Sequence, residues 1–407
     1  MSVSSSLSTA SGLEYKSYCE DENFMAEGKP EPNSRSQTVV NHLRDKAWWI
    51  KVTFHGIFPP VAHHTKPGQL RSKRERRIEF QDFVKLIDFE SLARLDDTVT
   101  EVILKEDTKA IKDINLLRDP TDKNRCQFPS FQAIKVTELS EEHEITDGVF
   151  RVLHKGDNKR YVLKVVNRPL YHPRDSDVLR QELENLELFK GIEGIIQPAG
   201  VAVIPNPYAT DLQNRNPQTV ISGILLEYCG GGNLQRVLGE QRVNKFRWGQ
   251  WDVQIGNALD TLHRAKKTHM DLKPSNVVLD DDGNAVLVDI SGIGGMTHEW
   301  RAPEIMDEIY PFELPFQTRR LNDTWAYGTL LKKIAFKAED SPFVKTLKLV
   351  ANHLTQDVHT RLTLSEAISV LKASSQSNLF HDGEREIPPE AHISHQNIDA
   401  AGRQIQS

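Results

Sequence analysis

The 407-residue chain is 38% hydrophobic and 27% charged, a balance that fits a soluble globular protein of one large or two to three ordinary domains with polar tails. A formal net charge of -6 gives no reason to expect nucleic-acid binding, and Cys19, Cys126 and Cys229 have no metal-ligand spacing and suit a reducing, intracellular compartment. The Ser-rich start lacks the apolar core of a signal peptide, and no apolar run reaches membrane-spanning length, so no membrane span is expected.

Residues 1–44 are rich in Ser, Glu, Asn and Pro with few aliphatics, and read as a disordered tail. From Ala47 to Phe54 the pattern changes: Trp48, Ile50, Val52 and Phe54 alternate with Trp49, Lys51, Thr53 and His55, the period of a strand. The basic run Arg71, Lys73, Arg74, Arg76 and Arg77 reads either as a solvated charged face or as a nuclear-import signal. The expected location is therefore cytoplasmic, with a nuclear one left open. Phe80, Phe83, Val84 and Ile87 fall at helical spacing and predict an amphipathic helix over 78–95, followed by a strand over 98–104. Residues 45–130 thus form an N-terminal extension, ordered enough to pack on a partner or on the next domain, with its role open.

Beyond residue 131, Ala133–Leu139 and Val149–His154 read as strands, with Gly148 between them in a turn. Tyr161–Val166 is a third strand, in which Lys164 is flanked by apolar residues. Burying an unpaired ammonium is costly, so a partner for it is expected. Asp177–Phe189 has helical character, and Ile221–Tyr228 is an apolar strand running into three glycines where the chain can swing. After a helix over 251–263 comes His269–Asn276, read His-Met-Asp-Leu-Lys-Pro-Ser-Asn. An Asp with Lys two residues on and Asn five residues on is a phosphoryl-transfer layout. Asp271 accepts the proton of the attacking hydroxyl, Lys273 neutralises the moving phosphoryl group, and Asn276 holds Mg²⁺. Two short strands, 277–279 and 285–288, then lead to Asp289. Residues 374–407 are polar again and read as a second disordered tail.

His269–Asn276 resembles the catalytic loop of eukaryotic protein kinases, H-R-D-L-x-x-x-N. The resemblance runs over 131–373 and takes in Val-Leu-Lys164, Trp300-Arg-Ala-Pro-Glu304, Asp323-Thr-Trp-Ala-Tyr-Gly328 and Arg361. It implies a two-lobed α+β fold: a small antiparallel-sheet lobe over 131–226 and a mainly helical large lobe over 230–373, with ATP between them. It implies that Lys164 holds the α- and β-phosphates and is locked by Glu182; Glu184 in that role would put Asn185 at an apolar position. By the same resemblance Gly148 lies over the phosphates, Leu226 borders the adenine pocket, and Glu227 and Cys229 offer it backbone groups. Asn276 and Asp289 share Mg²⁺, Thr297 touches Asp271 and Lys273, and Arg361 pairs with Glu304.

The chain also departs from the pattern. In place of G-x-G-x-x-G stands Glu-Ile-Thr-Asp-Gly-Val-Phe-Arg-Val, with Gly148 as its single glycine. Asp289 is followed by Ile290 and Ser291, with Gly292 one place late, and Met270 stands where regulated kinases carry Arg. Only seven residues separate Asp289 from Thr297, so no activation-loop phosphorylation switch is expected, and regulation falls to residues 45–130 or to partners. The expected function is an ATP- and Mg²⁺-dependent serine/threonine protein kinase acting on a protein substrate, since Lys273 and Thr297 favour Ser/Thr over Tyr. Two alternatives stand beside it: a pseudokinase scaffold that binds partners without catalysis, and a small-molecule phosphotransferase. Substrate and oligomeric state are left open.

Overall fold

The computed structural model describes residues 12–21, 24–25, 28–58, 71–105, 117–118, 128, 130–165, 173–214, 218–338 and 341–379. No helix among them is long and apolar enough to cross a membrane.

A hairpin starts the first sheet. β2 (Ser34–Leu43) and β3 (Lys46–His55) pair antiparallel around the turn Arg44-Asp45, where Arg44 takes φ 56°. β1 (Gly12–Glu20) lies antiparallel on β2, β4 (Val99–Lys105) parallel on β3, and the short β5 (Leu117–Arg118) antiparallel on β4. Two parallel strands need a crossover between them. Helix α1 (Lys73–Val84) lies in that crossover, its start fixed by reciprocal capping between Ser72 and Glu75. Phe80 and Val84 share a core with Ile50, Val52 and Phe54, and Phe58 meets the rings of Phe54, Phe80 and Phe83 edge-on at 5.2 to 5.4 Å.

The expected tail over 1–44 is corrected here, because 12–20 and 34–43 are strands. Their polar residues hid them: Gln37 is fully buried yet donates to the Ser17 and Thr38 carbonyls, both at 2.9 Å, and buried Arg35 reaches Glu31 at 2.8 Å. The helix expected over 78–95 starts five residues earlier and ends at Val84; Ile87, Phe89 and Leu92 are buried from irregular chain. Nor is the basic run simply a solvated face. Arg76 is buried and held by both oxygens of Glu20, at 2.6 and 3.0 Å. Residues 1–11 of the expected tail lie outside the described residues.

The second sheet runs β6-β10-β11-β9-β8-β7. Its strands are β6 (Ala133–Lys135), β7 (Leu139–Thr146), β8 (Val149–His154), β9 (Arg160–Val165), β10 (Pro198–Pro205) and β11 (Thr219–Glu227), all antiparallel to their neighbours except β6, which is parallel to β10. The strand expected over 133–139 is therefore corrected. The hairpin partner of β8 is β7, whose outer half is exposed and carries no alternating apolar signal. α2 (Pro173–Leu188) packs on this sheet through Leu183 and Leu186. The large lobe follows with β12 (Gly232–Asn233), α3 (Leu234–Gly239), α4 (Trp251–Arg264), β13 (Val277–Leu279), β14 (Ala285–Leu287), α5 (Phe316–Lys337), α6 (Pro342–Leu354) and α7 (Leu364–Leu379). α7 runs past residue 373, so the second tail does not start there; residues 380–407 lie outside the described residues. One apolar core joins α2, β11 and the large-lobe helices, so a sheet-rich small lobe sits on a helical large one.

The first sheet is anchored on the loop between β10 and β11. Thr210 donates its N–H to the Asp97 carboxylate at 2.9 Å and accepts the Asp97 N–H on its hydroxyl at 2.7 Å. Asn206 donates to the Asp97 carbonyl at 2.7 Å, and Trp49 packs edge-on against buried Tyr208 at 5.3 Å.

Candidate active site

The site is built where β9, α2 and the chain after β14 converge. The alternation of β9 points Lys164 into the cleft, where its Nζ lies 2.6 Å from Glu182 Oε2 and 2.7 Å from Asp289 Oδ1. Burial alone would pull the Lys164 ammonium down, but the two carboxylates outweigh it and raise it above the usual lysine range. For Asp289 burial would raise the carboxyl, and the Lys164 charge more than reverses this, leaving it below the usual range. Glu182 goes the other way. It is 1% exposed, its Oε1 has no partner among the described residues, and burial lifts its carboxyl despite Lys164.

Across the cleft the loop 269–276 is held from below. Buried Asp323 on α5 accepts the backbone N–H of His269 and of Met270, both at 2.8 Å, and meets His263 Nε2 at 3.0 Å. These bonds hold Met270 at φ 66°, a conformation unfavourable for a side chain of its size, while its thioether is buried. His269 Nε2 meets the Val288 carbonyl at 3.0 Å, which ties the loop to the chain entering Asp289.

The loop turns Asp271 toward the cleft with its partners arranged around it. Oδ1 accepts the Thr297 N–H at 2.8 Å; Oδ2 is 2.7 Å from Lys273 Nζ and accepts from Asn276 Nδ2 at 3.1 Å. Asn276 Nδ2 also donates to the Asp271 carbonyl at 2.8 Å, and Lys273 reaches the Thr297 hydroxyl at 2.6 Å. Asp271, Lys273, Asn276 and Thr297 therefore form one hydrogen-bonded unit, and Lys164, Glu182 and Asp289 a second. Among the described residues no three His, Cys, Asp or Glu side chains form a ready-made metal cage.

At the junction of the lobes Leu226 is buried, and the Glu227 N–H is committed to the Gln197 carbonyl at 3.0 Å. Burial, with Asp280 nearby, pushes the Cys229 thiol up to about 12, so the thiol stays protonated and its backbone is the useful group. Gly148 sits at φ 70° in the two-residue turn between Thr146 and Val149, and its carbonyl accepts the Val165 N–H at 2.8 Å. The turn is thus stitched to the strand that carries Lys164. Farther out, Arg361 clasps both oxygens of Glu304, at 2.6 and 3.0 Å.

Sequence reasoning missed two supports. Asn185 is buried and donates to the Ile290 carbonyl at 2.7 Å, fixing the chain just after Asp289 to α2. An Asn amid the apolar face of a helix was the available signal. Gly292, at φ 72°, lies where any Cβ would come within 2.4 Å of the Thr268 carbonyl, and the Ser291 hydroxyl accepts the Gly294 N–H at 2.9 Å to close the turn.

The protein kinase domain family matches residues 146–380. Similar proteins include the serine/threonine-protein kinases Nek6 and Nek3 of Oryza sativa subsp. japonica. The first is 28% identical over 228 residues, 49% of this chain and 38% of that protein; the second is 29% identical over 213 residues, 46% and 32%. Serine/threonine-protein kinase KIC1 of Saccharomyces cerevisiae is 27% identical over 206 residues, 46% of this chain and 17% of that protein. The matched part is thus less than two fifths of these relatives' own length. The chain belongs to the protein kinase family, serine/threonine type, and has its two-lobed fold.

Proposed function

We propose that the protein is a catalytically competent serine/threonine protein kinase, transferring the γ-phosphoryl group of ATP to a protein hydroxyl. The observation that carries this reading is Lys164, held at 2.6 Å by Glu182 and at 2.7 Å by Asp289. The Glu182 bond locks the lysine as the family's phosphate grip is locked, and the Asp289 bond joins the small lobe to the large one. Asp271 orients the acceptor hydroxyl and takes its proton, while the Thr297 N–H and Lys273 keep the carboxylate aimed. Lys273 also offers its charge to the phosphoryl group as it moves, and Lys164 grips the α- and β-phosphates.

Asn276 uses its Nδ2 and Asp289 its Oδ1 in the bonds above. Asn276 Oδ1 and Asp289 Oδ2 remain as hard oxygen donors that fit Mg²⁺, an ion that fills much of its shell from water and phosphate. Bound there, Mg²⁺ would screen the triphosphate charge. Leu226 closes the adenine end, and the Glu227 carbonyl and Cys229 N–H meet the base edge. Met270 cannot receive an activation-loop phosphate, so the site is set without that switch.

One observation favours the pseudokinase alternative. The cover over the phosphates is a strand whose exposed residues include Glu141, Glu142 and Glu144, with one turn glycine. The test is transfer from labelled ATP to a generic protein substrate and to the protein itself, with wild type beside Asp271→Asn. Phosphoserine or phosphothreonine formed by wild type alone supports the reading. No transfer under any condition, with no Mg-ATP-induced shift in melting temperature, would leave the scaffold reading in its place.

A further inference from the structure

Between α3 and α5 lies a cavity of about 410 Å³, on the large lobe and apart from Lys164 and Asp289. Its walls are Leu238, Thr329, Lys332, Lys333, Phe336 and Lys337 among others; among the described residues no carboxylate lines it. That is a local reversal of sign in a chain of net charge -6. Neighbouring Glu240 does not change this, because it is already paired with Arg236 and Arg242, each at 2.6 Å. Phe336 is 79% exposed at the rim, a large apolar ring whose one face is met by the Lys337 ammonium, 5.6 Å from its centre.

The cavity is tied to the candidate active site through one wall. Lys333 Nζ stands 4.9 Å from the centre of the Trp300 ring, which steadies its charge. Trp300 follows Thr297 by three residues, and the Thr297 N–H is bonded to Asp271. Three residues span at most about 11 Å. Along α5, Lys333 stands ten residues beyond Asp323, the support of the loop, or about 15 Å, so a peptide whose hydroxyl reaches Asp271 meets the lysines through residues several positions from its acceptor.

We propose that this groove selects acidic protein segments, so that the preferred substrate carries Glu, Asp or phosphorylated residues several positions from its acceptor Ser or Thr, with an apolar side chain against Phe336. The inference rests on the kinase reading and names its substrate class. Three exposed charge pairs, each of modest worth, together make about a tenfold preference that weakens with salt.

The test uses full-length Asp271→Asn protein with Mg-ATP and three labelled serine peptides that differ only in having Glu, Lys or Ala at those positions. The Glu peptide should bind about tenfold tighter than the Lys peptide, as read by fluorescence anisotropy. The margin should vanish when Lys332→Glu, Lys333→Glu and Lys337→Glu are added. All three lysines are exposed, so melting temperature should fall by a few degrees at most, from loss of the Lys333–Trp300 and Lys337–Phe336 contacts. A Lys332→Gln, Lys333→Gln, Lys337→Gln version serves as a second check and should remove the preference without inverting it. Equal binding of the three peptides, as when another stretch of this chain fills the groove, would overturn the proposal, and so would a margin that survives charge reversal. Wild-type transfer separates the two readings. Phosphorylation of all three peptides at one rate sinks the groove alone, whereas an intact binding margin with no transfer to any peptide sinks catalysis alone.

Discussion

The two walls of the cleft are built on different terms. On the large-lobe side Asp271, Asn276 and Asp323 each make two or more hydrogen bonds, so each of these side chains is held by others that are themselves held. On the small-lobe side the β7–β8 hairpin has one buried residue in each strand, Leu139 and Val152, and its turn carries no side-chain support beyond the ladder and the backbone bond from Val165 among the described residues. The difference teaches which parts of a phosphoryl-transfer site tolerate change. Proton acceptance and charge neutralisation depend on atoms placed to within about half an ångström, whereas a phosphate cover asks only for backbone close by. Lys164, bonded to two carboxylates, is a small-lobe residue built to the large-lobe standard.

That comparison can be broken first at Lys164. Lys164→Met would leave Glu182 and Asp289 facing each other unpaired. We expect transfer to fall on the order of 10²-fold or more and melting temperature to fall as well, checked by the labelled-ATP assay and calorimetry. Arg361→Ala tests the outer clasp. With a guanidinium that is 1% exposed and bonded twice to Glu304, its loss should cost about 3–5 kcal/mol of stability, read by denaturant unfolding. Activity per folded molecule should change little.

A smaller effect concerns Asp252, buried at the start of α4, where its carbonyl accepts the Tyr327 hydroxyl. Burial pushes its carboxyl up to about 7. Between about pH 4 and 7 the unfolded chain releases this proton while the folded one keeps it. Stability therefore falls as pH rises through that window, by a few kcal/mol at most, and levels off above it. Asp252→Asn should flatten this slope in unfolding experiments at pH 5 and 7.5. An unchanged slope would mean that other groups carry it.

The same contrast explains what could be read from the chain. The grouping of Asp271, Lys273 and Asn276 was legible because phosphoryl-transfer chemistry leaves few alternatives to those residue types at those spacings; the structure joins these three in one hydrogen-bonded unit and holds Asp289 on Lys164 in the other. Glu182 over Glu184 was also legible, though the reason was incomplete: Asn185 does lie at a buried position, where it bonds the Ile290 carbonyl. Strands β1 and β2 were not legible. Their inward residues include Arg35 and Gln37, polar side chains that break the apolar alternation of a strand and are satisfied by Glu31 four residues away and by the Ser17 carbonyl twenty residues away. The hairpin register was missed because β7 is mostly exposed, which leaves no alternation to follow. Docking of the first sheet through Asp97, with φ 60°, and Thr210 depends on a non-Gly residue in a left-handed conformation that a sequence does not mark.

The measurement that bears most directly on the account is steady-state kinetics of Gly148→Ala beside Asp271→Asn in one assay. At φ 70° an alanine is strained, yet its Cβ would meet only the Val165 carbonyl, at an ordinary 3.6 Å. Gly148→Ala should therefore raise KM for ATP by a few-fold at most and leave kcat nearly unchanged, reflecting about 1 kcal/mol of strain. Asp271→Asn should lower kcat by at least about 10²-fold with KM for ATP little changed. The reverse pattern, with the hairpin variant losing turnover and the Asp271 variant keeping it, would contradict the account.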